Sequence, residues 1–530
     1  MSLQQINYTQ IKGGIPNVLD FGAVGDYSFA SSSGTDNSAA FQAAVDALPN
    51  GGQIYIPHGY YLLTSPVVLT HGIQFIGDGQ VNFNGYATIT PTSPNGGSLI
   101  VIDDGITAFT FDKGTNTTSF GNSFENLSFS SKDISEAAYN DPPVYPAGTN
   151  AINMSYTAEM YVNNVGFMNI DKCFYNTLNQ LAVKPYLNNI TIKDCNYGFY
   201  LVKTSADFTI TNVSCIKANY FIYTNQTDGV TLSDSTIYRS YVNAWKCEPN
   251  ATSTGASSYF NITGTKFFES GNTLLDFDRV TQITIAGCDL VRAGLVSGFG
   301  TGHTALSVQN CEVFTIGGST IERPTGNGAY IYNTRVIEFN ANIKEFGWGV
   351  GGYTGLIADD NININLDASI SGFNGSPLAA ANFTNNYFVG GNITSDDIIY
   401  GQTTYISQVG VKTSSTTVTG QTLPNNGGAN LGQNLPYTLQ PGQSLIIYNI
   451  VYPTALNGLT FRFNSDFTTT LNSSGDLNIR KVVQTNSTGS PITNTFNTYL
   501  WNLTGGSVTI SSSDVTFLYK VVQSTLPEYS

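Results

Sequence analysis

Five charged residues stand at one position of a strand pattern that repeats between residues 230 and 345. Each follows an apolar residue of the pattern by two positions, and these charged residues are Arg239, Glu269, Arg292, Arg323 and Glu345. Strict strand alternation would turn them into a core, where an unpaired charge is prohibitively costly. We therefore expect the chain to turn a corner at these positions and to present the five side chains to solvent as one column, called here the charged ladder.

Acidic side chains in and beside the charged ladder are candidates for acid and base catalysis. Neighbouring strands lie about 4.8 Å apart, so side chains two rungs apart are separated by roughly 10 Å. Glu269 and Glu322 stand close to that relation, and side-chain reach can bring their carboxyl groups to the roughly 6.5 to 9.5 Å that inverting glycoside hydrolysis requires. Asp289 is a further acidic candidate beside the ladder. The alternative is a solvated ladder of ion pairs without a catalytic role.

A second acidic pair, Asp276 and Asp278, flanks Phe277. The two carboxylates alternate around one apolar residue, so they share one face of their strand and lie about 7 Å apart. Catalysis by this pair is one interpretation. A turn that is stabilised by an ion pair to Arg279 is the other.

Several side chains near these acids could bind a sugar. We expect Arg239, Arg292 and Arg323 to bind the carboxylate of an acidic sugar, with Glu345 in the same groove. Aromatic side chains offer flat apolar faces to sugar rings, although each could instead serve packing, and the candidates are Tyr241, Trp245 and Trp348.

His303 lies in the glycine-rich loop 298–303. A loop histidine is often simply solvated. A polysaccharide lyase, however, needs a base that removes the proton beside a uronate carboxylate, and a histidine beside arginine can do this. Elimination by a lyase is therefore the alternative chemistry to hydrolysis.

The elements that must position these residues are short strands. A phrase of the form apolar-x-apolar recurs at intervals of about 18 to 38 residues, beginning at Leu127, Val165, Ile190, Phe208, Val230, Phe260, Ile283, Phe314 and Ile337. Strand-period repeats without helical segments between them indicate a solenoid whose rungs bury one another's apolar faces. The sequence therefore predicts an all-β chain built on a parallel β-helix.

The two ends of the chain differ from this body. Residues 36–48 have apolar residues at helical spacing, and we expect a short helix capped by Asp36 that covers the open end of the first rung. A Thr-, Ser-, Gly- and Asn-rich stretch, 401–432, separates the body from strand-like runs and turns typical of an antiparallel β-sandwich. The predicted units are 1–80, 81–402 and 403–530.

Composition excludes several classes of function. The net charge is −15 and the pI is about 4.5, which argues against binding nucleic acid because that affinity comes from clustered Lys and Arg. We expect the six cysteines to be small buried residues inside the coil, with disulfides or a metal site as the alternative. We see no metal-ligand spacing, phosphate loop or nucleophile elbow, so no cofactor is predicted. No apolar run predicts a membrane span or a secretion signal.

The N-terminal region resembles a known group. The run FGAVGD at 21–26, the predicted helix, the segment GGQIYIPHGYYLL at 51–63 and the step IGDG at 76–79 are similar to the N-terminal module of the pectate-lyase-like superfamily, especially of bacteriophage tailspike depolymerases. The segment Asp36-Asn-Ser38 departs from the two acidic residues before a Thr that many relatives carry.

This resemblance implies a right-handed parallel β-helix, homotrimeric and part of a virion tail, that binds and cleaves a bacterial capsular or O-antigen polysaccharide. In such proteins the C-terminal domain trimerises or holds sugar. A lyase of the same fold and a non-catalytic receptor-binding fibre remain the alternatives to a hydrolase.

Overall fold

The computed structural model describes residues 14–81, 96–111, 119–135, 141–177, 182–202, 205–248, 257–295, 302–349, 351–372, 379–384, 386, 388–395 and 399–402, together with six short strands beyond residue 436. The body is a parallel β-helix, as predicted, because every described strand pairing within it is parallel. Each full rung contributes a strand to three faces, which we number in chain order.

Strands of faces 1 and 2 follow each other directly in many rungs. Face 1 contains β1 (Gly52–Ile56), β4 (Ile73–Gly77), β19 (Gly229–Ser233), β22 (Ser257–Thr263), β25 (Val280–Ala286) and β34 (Phe388–Thr394). Face 2 contains β2 (Gly59–Leu63), β5 (Ser98–Ile102), β20 (Thr236–Ile237), β23 (Lys266–Ser270) and β26 (Asp289–Ala293). Seven long strands bend through both faces: β8 (Ser123–Ser131), β11 (Tyr161–Met168), β14 (Tyr186–Lys193), β17 (Phe208–Cys215), β28 (Val313–Glu322), β30 (Val336–Phe346) and β32 (Asn363–Gly372).

Face 3 carries the candidate site described below. Its strands are β3 (Val67–Leu69), β6 (Thr107–Phe111), β9 (Asn150–Asn153), β12 (Lys172–Tyr175), β15 (Cys195–Val202), β18 (Ala218–Asn225), β21 (Ser240–Cys247), β24 (Leu275–Asp278), β27 (Leu306–Gln309), β29 (Ala329–Tyr332), β31 (Thr354–Asp359), β33 (Ala379–Thr384) and β35 (Ile399–Gln402). A small parallel sheet beside the body joins β7 (Ser119–Phe120), β10 (Thr157–Ala158), β13 (Ala182–Val183) and β16 (Ser205–Ala206).

The apolar residues of the repeated phrase point into the coil and form its core. Ile190, Ile192, Phe208 and Ile210 are almost completely buried, as the alternation predicts. Aromatic rings of successive rungs stack inside it, for example Phe129 on Phe167, with ring centroids 5.2 Å apart. All six cysteines are buried, as predicted. Burial of each such side chain contributes roughly 1.5–3 kcal/mol, so rungs stabilise one another.

The corners between faces place residues with left-handed backbone in columns. At corner 1, between faces 1 and 2, Asn126, Asn164, Asn189 and Asn212 have φ between 52° and 57°. Asn adopts this conformation at low cost, and the side-chain amides of neighbouring rungs hydrogen-bond to each other, for example at 2.8 Å from Asn164 Nδ2 to Asn126 Oδ1. These columns keep the rungs in register.

The predicted N-terminal helix is α1 (Ser38–Asp46), preceded by a short 3-10 turn at Val18–Phe21. Its N-cap is Asn37 rather than Asp36, which corrects the prediction by one residue. Asp36 still helps to fix the helix start, because its Oδ1 accepts a hydrogen bond from the backbone N–H of Ser38 at 3.0 Å.

Six strands are described in the C-terminal segment: β36 (Tyr437–Leu439), β37 (Ser444–Ile447), β38 (Thr468–Leu471), β39 (Thr498–Trp501), β40 (Val508–Ile510) and β41 (Val515–Leu518). They pair antiparallel as β36–β40, β37–β39 and β38–β41, the kind of pairing that a sandwich requires. Most of the predicted sandwich lies outside the described residues, and the predicted division into three units stays a prediction.

Candidate active site

Two rows of tyrosines lie on the outer side of face 3. Tyr175, Tyr200 and Tyr223 are register partners on β12, β15 and β18, and Tyr197 pairs with Tyr220 one column away. The rings of Tyr200 and Tyr223 stack with centroids 5.2 Å apart, and those of Tyr197 and Tyr220 do the same. All five are half-buried, so they form an aromatic surface that solvent still reaches, in which the rings of the two rows are inclined to each other by 73° to 78°.

The row of Tyr223 continues along the solenoid into charged and polar side chains. Its register partner on β21 is Lys246, followed by Asp276 on β24, Ser307 on β27 and Tyr330 on β29. The rings of Tyr330 and Tyr332 are again parallel, with centroids 6.4 Å apart. Aromatic surface therefore lies on both sides of a charged segment.

That segment contains three carboxylates, Glu248, Asp276 and Asp278, which we call the carboxylate cluster. Cys247 and Phe277 are register partners and point inward, which puts Glu248 beside Asp278 on neighbouring rungs. Neighbouring rungs are about 4.8 Å apart, and alternate residues of one strand are about 7 Å apart. These backbone spacings allow carboxyl separations in the ranges that glycoside hydrolases use.

Neighbouring groups hold the carboxylate cluster in place. Tyr223 Oη donates a hydrogen bond to Glu248 Oε2 at 3.0 Å, and Lys246 Nζ forms an ion pair with the other oxygen of Glu248. Asn310 Nδ2 donates to Asp278 Oδ1 at 2.7 Å. These contacts fix Glu248 and Asp278, and both side chains stay partly exposed to solvent.

Asp276 differs electrostatically from its neighbours. Burial raises the pKa of Asp276, and the hydrogen bond from Ser307 and the charge of Lys246 offset part of that rise. The negative charges of Glu248 and Asp278 raise the pKa further. A carboxyl group with a raised pKa, on the same strand face as a second carboxylate, is suited to act as a general acid beside a base.

The structure places the second predicted pair on one face, as expected from its spacing. Leu275 and Phe277 are fully buried, while Asp276 and Asp278 lie on the outer side of β24. Arg279, the partner in the alternative interpretation, has φ of 56° at the corner that follows.

The charged ladder is also assembled as one column, at corner 2 between faces 2 and 3. The register pairs Ser240 with Ser270 and Ser270 with Ala293, so Arg239, Glu269 and Arg292 stand beside one another on three rungs. Val291, Glu322 and Lys344 are partners in turn, which adds Arg323 and Glu345. Left-handed φ values of 51° to 62° at Glu269, Arg292, Arg323 and Glu345 are the predicted corner.

The expectation that the whole ladder faces solvent was wrong at its first two members. Arg239 and Glu269 are only 4% and 7% exposed, and they form an ion pair of 2.6 Å with each other. Arg292 Nη1 contacts the other oxygen of Glu269 at 3.2 Å. Both oxygens of Glu269 are therefore occupied by guanidinium groups, which leaves little room for a reacting sugar.

The rest of the ladder is more exposed. Arg323 pairs with Glu345 at 2.5 Å and with Glu322 at 3.4 Å. Its guanidinium also lies 4.7 Å from the ring centroid of Trp348, which is half-buried. Glu322 is separated from Glu269 by one intervening rung, as predicted, and it is partly exposed.

Four other predicted residues lie apart from the carboxylate cluster or inside the protein. Trp245 is fully buried, its indole N–H donates to Thr224, and its ring packs on Phe260, so the prediction that it binds sugar was wrong. The next residue, Lys246, is partly exposed and lies on the outer side of face 3. The remaining three positions are Tyr241, half-buried at the start of β21, His303, beside Thr325 before β27, and Asp289, on face 2 and 3.9 Å from Lys266.

Sequence reasoning missed Glu248 and the tyrosine rows. A signal was present, because Tyr197 and Tyr200 recur one rung later as Tyr220 and Tyr223 with the same spacing. Glu248 belongs to no such repeat of equal spacing, because the rung that separates it from Asp278 is longer than the rungs that separate the tyrosines.

Within the described residues, no group of three or more His, Cys, Asp or Glu side chains is arranged to hold a metal ion. No described helix is long and apolar enough to cross a membrane.

Comparisons with known proteins agree with the fold. Residues 15–249, a little under half of the chain, match the family model described as rhamnogalacturonase A/epimerase, pectate lyase-like. Rhamnogalacturonase A of Aspergillus niger is 39% identical over 90 residues, and these span 17% of this chain and 17% of that protein. The predicted resemblance to pectate-lyase-like proteins is thereby confirmed.

The tailspike protein of E. coli bacteriophage HK620, solved as a mutant in complex with a hexasaccharide, is similar in fold with a TM-score of 0.51. It is 12% identical, and the match covers 96% of this chain and 93% of that one. A second structure of this tailspike protein, in complex with a pentasaccharide, gives a TM-score of 0.50 with 12% identity, and the match covers 96% of this chain and 94% of that one. The tailspike type of parallel β-helix predicted from the sequence is confirmed as the fold.

Proposed function

We propose that this chain is a polysaccharide hydrolase that cuts its substrate at the carboxylate cluster of face 3. The observation that carries the proposal is the position of Glu248, Asp276 and Asp278 on a solvent-facing surface between two tyrosine-rich segments. Sugar rings bind to flat aromatic faces, and hydrolysis needs paired carboxyl groups, so one surface supplies both requirements.

Asp276 acts as the general acid and Asp278 as the general base. The proton of Asp276 passes to the glycosidic oxygen while the bond between that oxygen and the anomeric carbon breaks. A water molecule attacks the same carbon from the opposite side and gives its proton to Asp278. The separation of about 7 Å leaves room for this water, so the reaction inverts the anomeric configuration. Glu248 and Lys246 position the sugar and balance charge near the acid.

The pair Glu269 and Glu322 is a less suitable candidate for the acid and base of hydrolysis. Both oxygens of Glu269 already contact arginine, so it is poorly placed to exchange a proton with a sugar or a water. The arginines that would bind an acidic sugar are likewise paired with glutamates. We therefore assign catalysis to the carboxylate cluster and a structural role to the buried part of the charged ladder.

The comparisons support a glycan as the substrate class. A family named for rhamnogalacturonase matches the N-terminal part, and a tailspike protein of similar fold was solved with a bound hexasaccharide. On this basis we propose further that the chain is a homotrimeric part of a virion tail and acts on a bacterial surface polysaccharide, either capsular or O-antigen. A molar mass of one chain from light scattering in solution would refute the trimer.

The activity is tested by incubating the full chain with purified capsules and O-antigens of different bacteria. Hydrolysis releases reducing ends, and each fragment gains the mass of one water. We expect Asp276→Asn and Asp278→Asn each to lower the rate by about 10²- to 10⁴-fold, the contribution of one general acid or base.

Asp289→Asn is the matched control, because Asp289 is an exposed aspartate on face 2. An unsaturated uronate that absorbs in the ultraviolet would identify a lyase instead. Binding without fragments would identify a receptor-binding fibre. Equal rates for all three variants would remove the carboxylate cluster from the mechanism.

A further inference from the structure

We propose that Lys246 is a positioning residue that Glu248 and Tyr223 hold beside the proposed general acid. Its ammonium group stabilises the carboxylate that Asp276 becomes when its proton passes to the glycosidic oxygen. This inference rests on the proposed function, because it gives these side chains separate roles in the same reaction. It also distinguishes Tyr223 from the other tyrosines of the rows, since its hydroxyl group serves the acid instead of the sugar.

The ring of Tyr223 is fixed by other rings. It stacks on Tyr200, with centroids 5.2 Å apart and an angle of 6° between the planes. It also meets Tyr197 and Tyr220 edge to face, each at a centroid distance of 5.9 Å. A ring with three such contacts keeps its hydroxyl group in one place, and Tyr223 Oη donates to Glu248 Oε2 at 3.0 Å. Burial and the charge of Glu248 raise the pKa of Tyr223, so this hydroxyl group remains a donor.

Glu248 is held at both carboxylate oxygens. Its Oε2 accepts the hydrogen bond from Tyr223, and its Oε1 forms the ion pair with Lys246 Nζ. Its backbone N–H donates to the carbonyl oxygen of Thr224 at 3.1 Å, which ties it to the neighbouring rung. A carboxylate with both oxygens engaged is poorly placed to exchange a proton with a substrate, but it is well placed to orient a cation. Glu248 therefore positions Lys246 and takes no part in proton transfer.

Lys246 lies directly beside the proposed acid. It is the register partner of Asp276 on the neighbouring strand of face 3, so the two side chains leave strands that are about 4.8 Å apart. Burial lowers the pKa of Lys246, but the hydrogen bond and the charge of Glu248 outweigh this effect and raise the pKa above its ordinary value. The ammonium group therefore stays charged. Burial raises the pKa of Asp276, and the charge of Lys246 opposes that rise.

Two further charged side chains, Asp278 and Arg279, are close to Asp276 among the described residues. Asp278 adds negative charge and raises the pKa of the acid further. Arg279 is exposed at the corner that follows β24, whereas Lys246 is the direct neighbour of Asp276 across the ladder. The register partner of Asp276 on β27 is Ser307, which is uncharged. We therefore assign the stabilising cation to Lys246 and test Arg279 separately.

The experiment measures kcat, KM and the pH profile of each variant on the capsule or O-antigen that the wild-type chain cleaves. Lys246→Met should lower kcat about ten- to a hundredfold, because charges about 5 Å apart interact strongly where water is partly excluded. The fall of kcat with rising pH should move to higher pH, because Asp276 loses the cation that lowers its pKa. Lys246→Arg keeps the cation and should restore most of kcat and the wild-type midpoint. Lys266→Met, at an exposed lysine on face 2 that pairs with Asp289 at 3.9 Å, is the matched control.

Tyr223→Phe keeps the ring and removes only the hydroxyl group. We expect kcat to fall several-fold and the midpoint to move in the same direction as in Lys246→Met, because Glu248 is then held less firmly. KM should stay close to that of the wild-type chain, since the stacked ring remains. Tyr161→Phe, which removes a hydroxyl group on face 1, is the matched control. A kcat and a midpoint equal to those of the wild-type chain in Tyr223→Phe would contradict its positioning role.

The outcomes separate this inference from the proposed function. An unchanged pH midpoint in Lys246→Met would overturn the inference and leave the hydrolase intact. A shift of the same size and direction in Arg279→Asn would also overturn it, and Asn tolerates the left-handed backbone at this position. A loss of kcat that Lys246→Arg does not restore would count against a role of the charge. Cleavage of none of the capsules or O-antigens by the wild-type chain would refute the proposed function itself and the inference with it.

Discussion

Replacing Glu269 by Gln should destabilise the middle of the β-helix without abolishing cleavage. Glu269 is 7% exposed and forms ion pairs with Arg239 at 2.6 Å and with Arg292 at 3.2 Å. Arg239 is itself only 4% exposed, so it cannot turn to water when its partner loses its charge. The variant Glu269→Gln therefore removes the carboxylate charge that pairs with this buried guanidinium.

The size of the effect follows from this burial. Removing one partner of a buried ion pair costs about 3–5 kcal/mol, because the remaining charge is uncompensated. The amide oxygen of Gln can still accept one hydrogen bond, so we expect a loss of about 3 kcal/mol, at the lower end of that range. Glu322→Gln is the control. Its carboxylate is about one-third exposed and pairs at the surface, where the cost is about 0–1 kcal/mol.

Hydrogen exchange measures this loss where it occurs. A solenoid can open locally, so the protection of backbone amides in β21, β23 and β26 should fall, while protection in β1 and β4 should not. The double variant Arg239→Leu/Glu269→Leu should recover most of the protection, because it removes both buried charges. Unchanged exchange in Glu269→Gln, or a complete loss of cleavage in protein that remains folded, would refute the reasoning.

Three further predictions concern single side chains. As pH rises, kcat should fall with a midpoint above the ordinary pKa of an aspartate, because Asp276 must be protonated to act and burial raises its pKa. A pH–rate profile from pH 3 to 8 checks this, and a midpoint at the ordinary value would contradict it. Tyr197→Ala should raise KM about three- to tenfold with kcat nearly unchanged, since a stacked aromatic contact is worth about 0.5–1.5 kcal/mol. Tyr161→Ala, at an exposed tyrosine on face 1, is the matched control. Equal KM values in the two variants would show that the tyrosine rows do not bind the substrate. Trp245→Ala should cost about 3–5 kcal/mol of stability in denaturant unfolding, as a fully buried Trp does. Trp348→Ala should cost far less, and equal losses would contradict the placement of the two rings.

The charged ladder could be predicted from the sequence because its rungs can be counted. Each of its members follows a buried apolar residue at a fixed distance, and left-handed backbone at Glu269 and Arg292 turns the corner there. Its burial could not be predicted in the same way. A column position tolerates a buried charge only when an opposite charge stacks next to it, as Glu269 does beside Arg239.

The carboxylate cluster could be predicted only in part. Asp276 and Asp278 share a strand, so local alternation around Phe277 was sufficient to place them together. Glu248 lies one rung before Asp278, and this rung contains more residues than the rungs of the tyrosine rows. Because rung length varies, the strand register at Glu248 could not be found by counting residues in the sequence. Trp245 was wrongly predicted to bind sugar because it is close in sequence to charged residues. Closeness in sequence does not determine whether a side chain points outward or into the core, and that of Trp245 is buried.

The most direct test of the central claim is a crystal structure of Asp276→Asn with an oligosaccharide of its cognate polysaccharide bound. The account predicts that the sugar rings lie on the tyrosine rows of face 3 and that a glycosidic oxygen is within hydrogen-bond distance, about 3 Å, of the substituted side chain. An oligosaccharide bound instead at corner 2, against Arg323 and Trp348, would contradict it.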